Sequence, residues 1–247
     1  MKRIILCLLI SVSSVFNSQA QVSGKIIYDH TFNWIKFIKT ADFLSQEEKD
    51  RSEQTWKNDE DRAVEMQLTF TPEKSYYTYL KETQTSADGS YTWVPDAFIV
   101  TRDLTNQTIF EIEETLGKKY LISGPMQAPA WKIGSEIKEV LGYMCMKATM
   151  HDPVKDMDWE AWFSFDIPVS VGPDWYYGLP GVILEMNSTN GVVNIVATSV
   201  NLEETTIPEL PKKLKGKEIT RTELDQMLVQ YIKQQEEIHN LPYAMRF

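Results

Sequence analysis

The sequence predicts a mainly β, single-domain fold: an open antiparallel β-barrel or a strongly curved sheet, with a packed helix at 221–237 and a helical insertion near residues 44–57. Three observations carry this. Val64–Phe70 alternates apolar and polar residues with period two, the mark of a half-buried strand. Asn190-Gly191 stands between two apolar runs, the strongest short-range hairpin signal. Strand candidates follow one another closely, separated by turn residues and few helices, which is the spacing of an antiparallel sheet.

Residues 1–20 read as a cleaved export signal. Lys2 and Arg3 form a basic start, Ile4–Ile10 are unbroken apolar, and Ser18-Gln19-Ala20 is a small-x-small cleavage site. The apolar run is too short to span a bilayer, and no second one is longer. Removing this segment leaves 227 residues, taken as one β domain over 21–240. Because the segment carries two basic residues and no acid, the net charge moves from −10 to −12. So acidic a chain repels phosphate backbones and anionic lipid, so no nucleic-acid partner is expected. The expected location is the periplasm or the outer membrane, or outside the cell. Cys145 is the single cysteine beyond the signal, so no internal disulfide is expected and packing alone must hold the core. It reads as a buried small hydrophobe.

The elements follow in order. Gly24–Tyr28 opens the domain. Leu44–Lys57 is polar nearly all round and reads as a surface helix. After the strand at 64–70, Thr71–Lys74 is a turn and Ser75–Lys81 a tyrosine-rich partner strand; Asp88-Gly89 marks another turn. Phe98–Thr101, Gln107–Glu113 and Lys119–Ser123 are strands, followed by Gly142–Met150, Trp159–Phe165, Gly181–Asn187 and Val192–Val200. Ile207–Lys213 is a linker, and Lys212, Lys213, Lys215 and Lys217 read as a solvated counterweight to the acidic body. Thr220 and Glu223 form a capping box for a helix over 221–237. Its Leu224, Met227, Leu228, Tyr231 and Ile232 make one apolar stripe that must pack on the sheet.

The ordered blocks Gly142-Tyr-Met-Cys-Met-Lys-Ala-Thr, Trp159-Glu-Ala-Trp-Phe, Asp166-Ile-Pro, Gly172-Pro173 and Gly178-Leu-Pro-Gly-Val-Ile-Leu-Glu resemble the GLPGLI family of exported Bacteroidota proteins. Valine stands here in place of the second leucine of the name motif. The resemblance covers 141–187 best, extends to Gly24–Tyr28 and Leu68–Tyr79, and is weak at 33–62 and beyond 203. It implies a curved sheet crossed by a helix, similar to lipoprotein carriers, and an envelope role, since members of the family are often encoded near outer-membrane receptors. It carries over no catalytic residue.

Site candidates cluster around the motif. Leu179-Pro180-Gly181-Val182 suits a type II turn, with Pro180 presetting φ and Gly181 supplying a positive φ. Between this turn and the Gly172-Pro173 corner, Trp175, Tyr176 and Tyr177 offer a large aromatic surface. That loop either plugs the sheet or lines the mouth of a cavity, where it binds an apolar ligand together with Leu179, Pro180 and Trp162. Alternation puts Trp159, Ala161, Phe163 and Phe165 on the core face and Trp162 opposite, lining the second face or covered by the helix.

Three functions are open. The first is non-enzymatic binding of an apolar ligand or an outer-membrane partner protein. The second is a hydrolase using Glu185 and Asp166 as acid and base. The third is copper(I) binding through Met144, Met146, Met150 and His151, although a regular strand turns the methionines away from Cys145 and His151. No cofactor is expected. His30, His151 and His239 are scattered, and no phosphate loop, dinucleotide fingerprint or hydrolase elbow is present.

Overall fold

The computed structural model describes residues 22–56, 63–86 and 89–246. The expected export signal, Lys57 and Asp88 lie outside them. Among the described residues, twelve strands form one curved sheet that does not close into a barrel. In chain order they are β1 (Gly24–Phe32), β2 (Ala63–Phe70), β3 (Lys74–Tyr79), β6 (Phe98–Asp103), β7 (Thr108–Thr115), β8 (Lys118–Pro125), β9 (Lys132–Val140), β10 (Tyr143–Asp152), β11 (Met157–Ser164), β12 (Val182–Ser188), β13 (Val193–Asn201) and β14 (Lys217–Ile219). A separate hairpin joins β4 (Gln84–Thr85) to β5 (Thr92–Trp93). The order across the sheet is β14-β8-β7-β6-β3-β2-β1-β13-β12-β11-β10-β9, antiparallel except where β14 runs parallel to β8. β1 is central because it pairs β2 on one side and β13, far along the chain, on the other.

Register decides which side chains face inward. Tyr28 opposes Met66 and Ala197, Leu68 opposes Tyr77, Tyr77 opposes Val100, and Val100 opposes Glu111. The inner face is therefore continuous from β1 to β8, and the alternation of β2 is its cause. The core runs through Ile26, Tyr28, Leu68, Tyr77, Trp159, Phe163 and Ile195, all buried.

Among the described residues three helices accompany the sheet: α1 (Trp34–Thr40), α2 (Gln46–Trp56) and α3 (Arg221–Glu237). α1 was not anticipated; Asn33 caps it, accepting from the Lys36 amide at 2.7 Å. α3 carries the expected box, with Thr220 accepting from the Glu223 amide and Glu223 from the Thr220 amide. Leu224 and Leu228 are buried, and Met227, Tyr231 and Ile232 pack against the same core. Residues 241–246 also belong to the fold. Ala244 accepts from the Leu116 amide at 2.6 Å, and Met245 is buried in the core.

Two expectations are corrected. Phe165 is exposed, because β11 ends at Ser164 and the chain turns outward before the fourth residue of the supposed row. The positive φ of the name motif belongs to Gly178, at 96°, and Gly181 is not among the positive-φ glycines. Gly181 is required for another reason: a Cβ there would lie 2.0 Å from the Ser164 carbonyl oxygen, so the chain passes too close to β11 for any side chain.

Candidate functional site

The loop between β11 and β12, residues 165–181, folds back over the inner face of the sheet. Ile167 and Val171 line up beside β12, their carbonyls accepting from the amides of Val182 and Ile183 at 3.0 Å each. Gly172 lets the loop touch the strand, since a Cβ would lie 2.8 Å from Ile183. Asp174, Trp175, Tyr176 and Tyr177 then enter the interior.

Asp174 is the hub. It is 1% exposed and its φ is 46°, a left-handed conformation that aspartate tolerates better than most residues. Its carboxylate meets His30 Nε2 from β1 at 3.2 Å and Arg246 Nη2 at 3.1 Å. Its carbonyl accepts from Arg102 Nη2 of β6 at 2.5 Å, and Arg102 also lies over the Tyr177 ring. Arg246 donates to Tyr79 Oη at 3.1 Å and lies 3.9 Å over Phe98. Burial alone would raise the carboxyl; Arg246 and His30 overcome it and hold Asp174 well below the usual carboxylate range. Three parts of the chain distant in sequence are thus tied to one loop residue.

Beside this hub lies a cavity of about 650 Å³. Trp175, Tyr176 and Tyr177 form one wall. Ile109, Ile122 and Met150 from the sheet and Leu228 from α3 supply apolar surface, and Pro129 and Ala130 close another side. The loop therefore does both things considered for it: it fills the sheet, and one edge of it borders a cavity.

The polar lining comes from a strand whose pattern is inverted. In β7, Glu111 and Glu113 share the inner face with Ile109, opposite Val100 and Phe98, and each is 2% exposed, while Phe110 and the buried Ile112 lie on the other face. Arg221, the first residue of α3, bridges both: Nη2 contacts Glu111, and lies 3.1 Å from Glu113. Asp225, one turn on, lies 3.7 Å from the same guanidinium. Lys155, from the turn after β10, stacks on Trp175 with Nζ 4.4 Å from the ring centre, and Arg221 lies 5.6 Å from it. Burial pushes the Glu113 carboxyl up to about 7, against Lys155 and Arg246. Burial also raises Asp225, with Asp152 adding to the effect, and lowers Arg221 to about 10. Two buried acids on the inner face of a strand break the pattern that builds an apolar core, and such breaks collect at functional sites.

The other candidates are placed elsewhere. Leu179 is buried in the core and Pro180 exposed; neither lines this cavity. Trp162 is on the outer face, and lysine side chains flank it rather than α3. Lys138 Nζ sits 4.3 Å from its ring centre, and Lys147 reaches Glu160 at 2.6 Å. Glu185 shares that outer face, opposite Trp162, held by Lys138 at 2.7 Å and by Asn187 at 2.6 Å. Asp166 is exposed beyond the end of β11. Met146 opposes Phe163 and Met150 opposes Trp159, both packed on the core, while Met144 is exposed. His151 is exposed and 2.9 Å from Asp158. Cys145 is buried, and burial pushes its thiol up to about 11. Among the described residues no three His, Cys, Asp or Glu side chains are grouped to hold a metal ion.

Sequence reasoning missed Glu111, Glu113, Lys155, Asp174 and Arg221. The available signal was parity: Glu111 and Glu113 share a strand face with Ile109, and Arg102 shares one with Phe98 and Val100.

Residues 153–185 match the model of a Bacteroidota-associated family described as a protein of unknown function (Porph_ging). The match runs from the turn that carries Lys155, through the aromatic loop, to Glu185. No curated protein matches the chain in sequence. Solved structures share its fold. Two structures of PNGF-II, in the P21 and C2 space groups, align over 85% and 84% of this chain with TM-scores of 0.55 and 0.52, each at 16% identity. The chain spans about a third of that protein's length, 33% and 32% in the two structures. At this identity the likeness is one of fold.

Proposed function

We propose that this chain is an exported cell-envelope protein of the GLPGLI type that binds a small ligand with an apolar body, without transforming it, in the cavity beside Trp175–Tyr177. One observation carries the reading: a cavity of about 650 Å³, within the range of small-molecule sites, has aromatic and aliphatic walls and a few convergent polar groups. The walls are preformed, because Asp174 fixes the loop to β1, to β6 through Arg102, and to residues 241–246. Export is supported by the basic start, short apolar run and Ser18-Gln19-Ala20. No helix of the described residues is long and apolar enough to cross a membrane, which accords with export into the periplasm or attachment at the outer membrane through a partner. Glu185 and Asp166 give a hydrolase little support, since Lys138 and Asn187 already hold Glu185. The methionines give copper little support, since Met146 and Met150 are packed in the core.

Native mass spectrometry of the protein purified from its own cell envelope tests the reading. The expected result is an added mass of a few hundred daltons that is absent from Gly124→Trp, in which an indole is placed on the cavity side of β8, where an added Cβ meets nothing within 4 Å. A wild-type protein without added mass, and without saturable binding of any apolar probe, contradicts it.

A further inference from the structure

We infer that β9 is a docking edge for a second copy of this chain, paired antiparallel through Ile137 so that the two sheets run on as one. The sheet ends at β9, which pairs β10 on one side and, among the described residues, no strand on the other. Its free backbone edge is a template for a further strand. The apolar rows of the inner face also run out here. Phe163 opposes Met146, and Met146 opposes Ile137, which is 64% exposed. Ile133 on the same strand, Leu141 at the turn into β10 and Met144 on β10 are exposed as well. Exposed Phe165 packs on Phe163 of the same row, with ring centres 5.1 Å apart. Residues 134–136 of β9 stand opposite Lys147 alone, and this bulge keeps Ile133 and Ile137 on one face.

Edge strands are commonly guarded by lysine. Here Lys138, beside Ile137, is turned onto its own sheet, 2.7 Å from Glu185 and 4.3 Å from the centre of the Trp162 ring. The other lysine of the strand, Lys132, stands at its far end. The occupant follows from the strand's own sequence. With Ile137 opposite Ile137, Glu136 of each copy falls opposite Lys138 of the other, Ser135 opposite Glu139, and Ile133 opposite Leu141. The row Phe163, Met146, Ile137 then continues into the same three residues of the second copy. Moving the centre by one residue sets Glu136 against Glu136 or Lys138 against Lys138, and like charges directly opposite are unfavourable. Of these registers, the one centred on Ile137 satisfies charge and apolar contact together. A two-fold contact of this kind closes at two copies. The acidic body repels a second copy at long range, but physiological salt screens that repulsion beyond about 8 Å.

Sedimentation velocity in physiological salt, over a hundredfold range of protein concentration, tests this together with cysteine cross-linking. Wild type should pass from monomer to dimer across the range. Glu136→Lys, at an exposed position, should weaken the dimer about tenfold, because the two-fold axis repeats the clash with Lys138, while the melting temperature of the monomer is kept. Cys145 is buried, so cysteines introduced on β9 report alone. Ile137→Cys lies opposite itself within disulfide reach and should oxidise to a covalent dimer. Ser135→Cys alone should not, whereas an equal mixture of Ser135→Cys and Glu139→Cys should. A protein that stays monomeric at every concentration overturns the inference. A dimer that Ile137→Cys fails to cross-link, or that Glu136→Lys leaves as strong as wild type, overturns the edge and its register. Cross-linking of Ile137→Cys to a different envelope protein, with no dimer, overturns the second copy as the occupant.

Discussion

Asp174 places a negative charge inside the protein on a residue with φ of 46°, and both features are costly unless neighbours compensate. His30, Arg246 and Arg102 do so, and each comes from a different part of the chain. Removing the carboxylate leaves Arg246 buried without its charge partner. Asp174→Asn is therefore expected to cost about 3–5 kcal/mol in urea unfolding at pH 7. The sign with pH follows from the depressed carboxyl. Its stabilisation is complete above the ordinary aspartate range and is lost as pH falls through that range toward the folded value. The gap between wild type and variant should thus narrow on acidification; a gap independent of pH would show that the charge is not what matters. The glycines of the motif act locally in different ways. Gly178 supplies a positive φ against Ala128, Gly181 a close backbone approach to Ser164, and Gly172 contact with Ile183.

At the scale of the element, capping and periodicity were legible and edges were not. α3 runs over the residues its Thr-x-x-Glu box and apolar stripe indicate, because both signals are local. Thr220→Ala should lower stability by about 1 kcal/mol and raise amide exchange in the first turn of α3; unchanged exchange there would remove the cap from the account. β9 was unreadable because most of its residues are exposed at a sheet edge, so no inward alternation marks it. β14 has three residues and depends on pairing with β8, which only the folded chain supplies. β7 was legible as a strand but its facing was not. Glu111 and Glu113 look like the solvated half of an alternating pattern, and only the register with β6 turns them inward. The aromatic loop was legible as a rigid segment from its Gly-Pro and Leu-Pro-Gly corners. Its engagement by Arg102 and Arg246 was not, because those contacts join residues about seventy positions apart.

At the scale of the molecule, the sheet and the loop solve one problem together. A curved sheet of twelve strands that stays open needs something to cover its inner face. Here loop 165–181, α3 and residues 241–246 cover it. They meet imperfectly, and the gap between them is the cavity, bordered by Trp175, Arg221 and Arg246. Charged side chains surround that gap where a larger core would be apolar. On the proposed reading this gap is a ligand site and not a packing defect. The sharpest test is fluorescence titration with the neutral apolar probe N-phenyl-1-naphthylamine, comparing wild type with Gly124→Trp at matched stability. Wild type should bind the probe saturably and one-to-one, and the filled variant should not bind it. An identical response from the two proteins would contradict that reading.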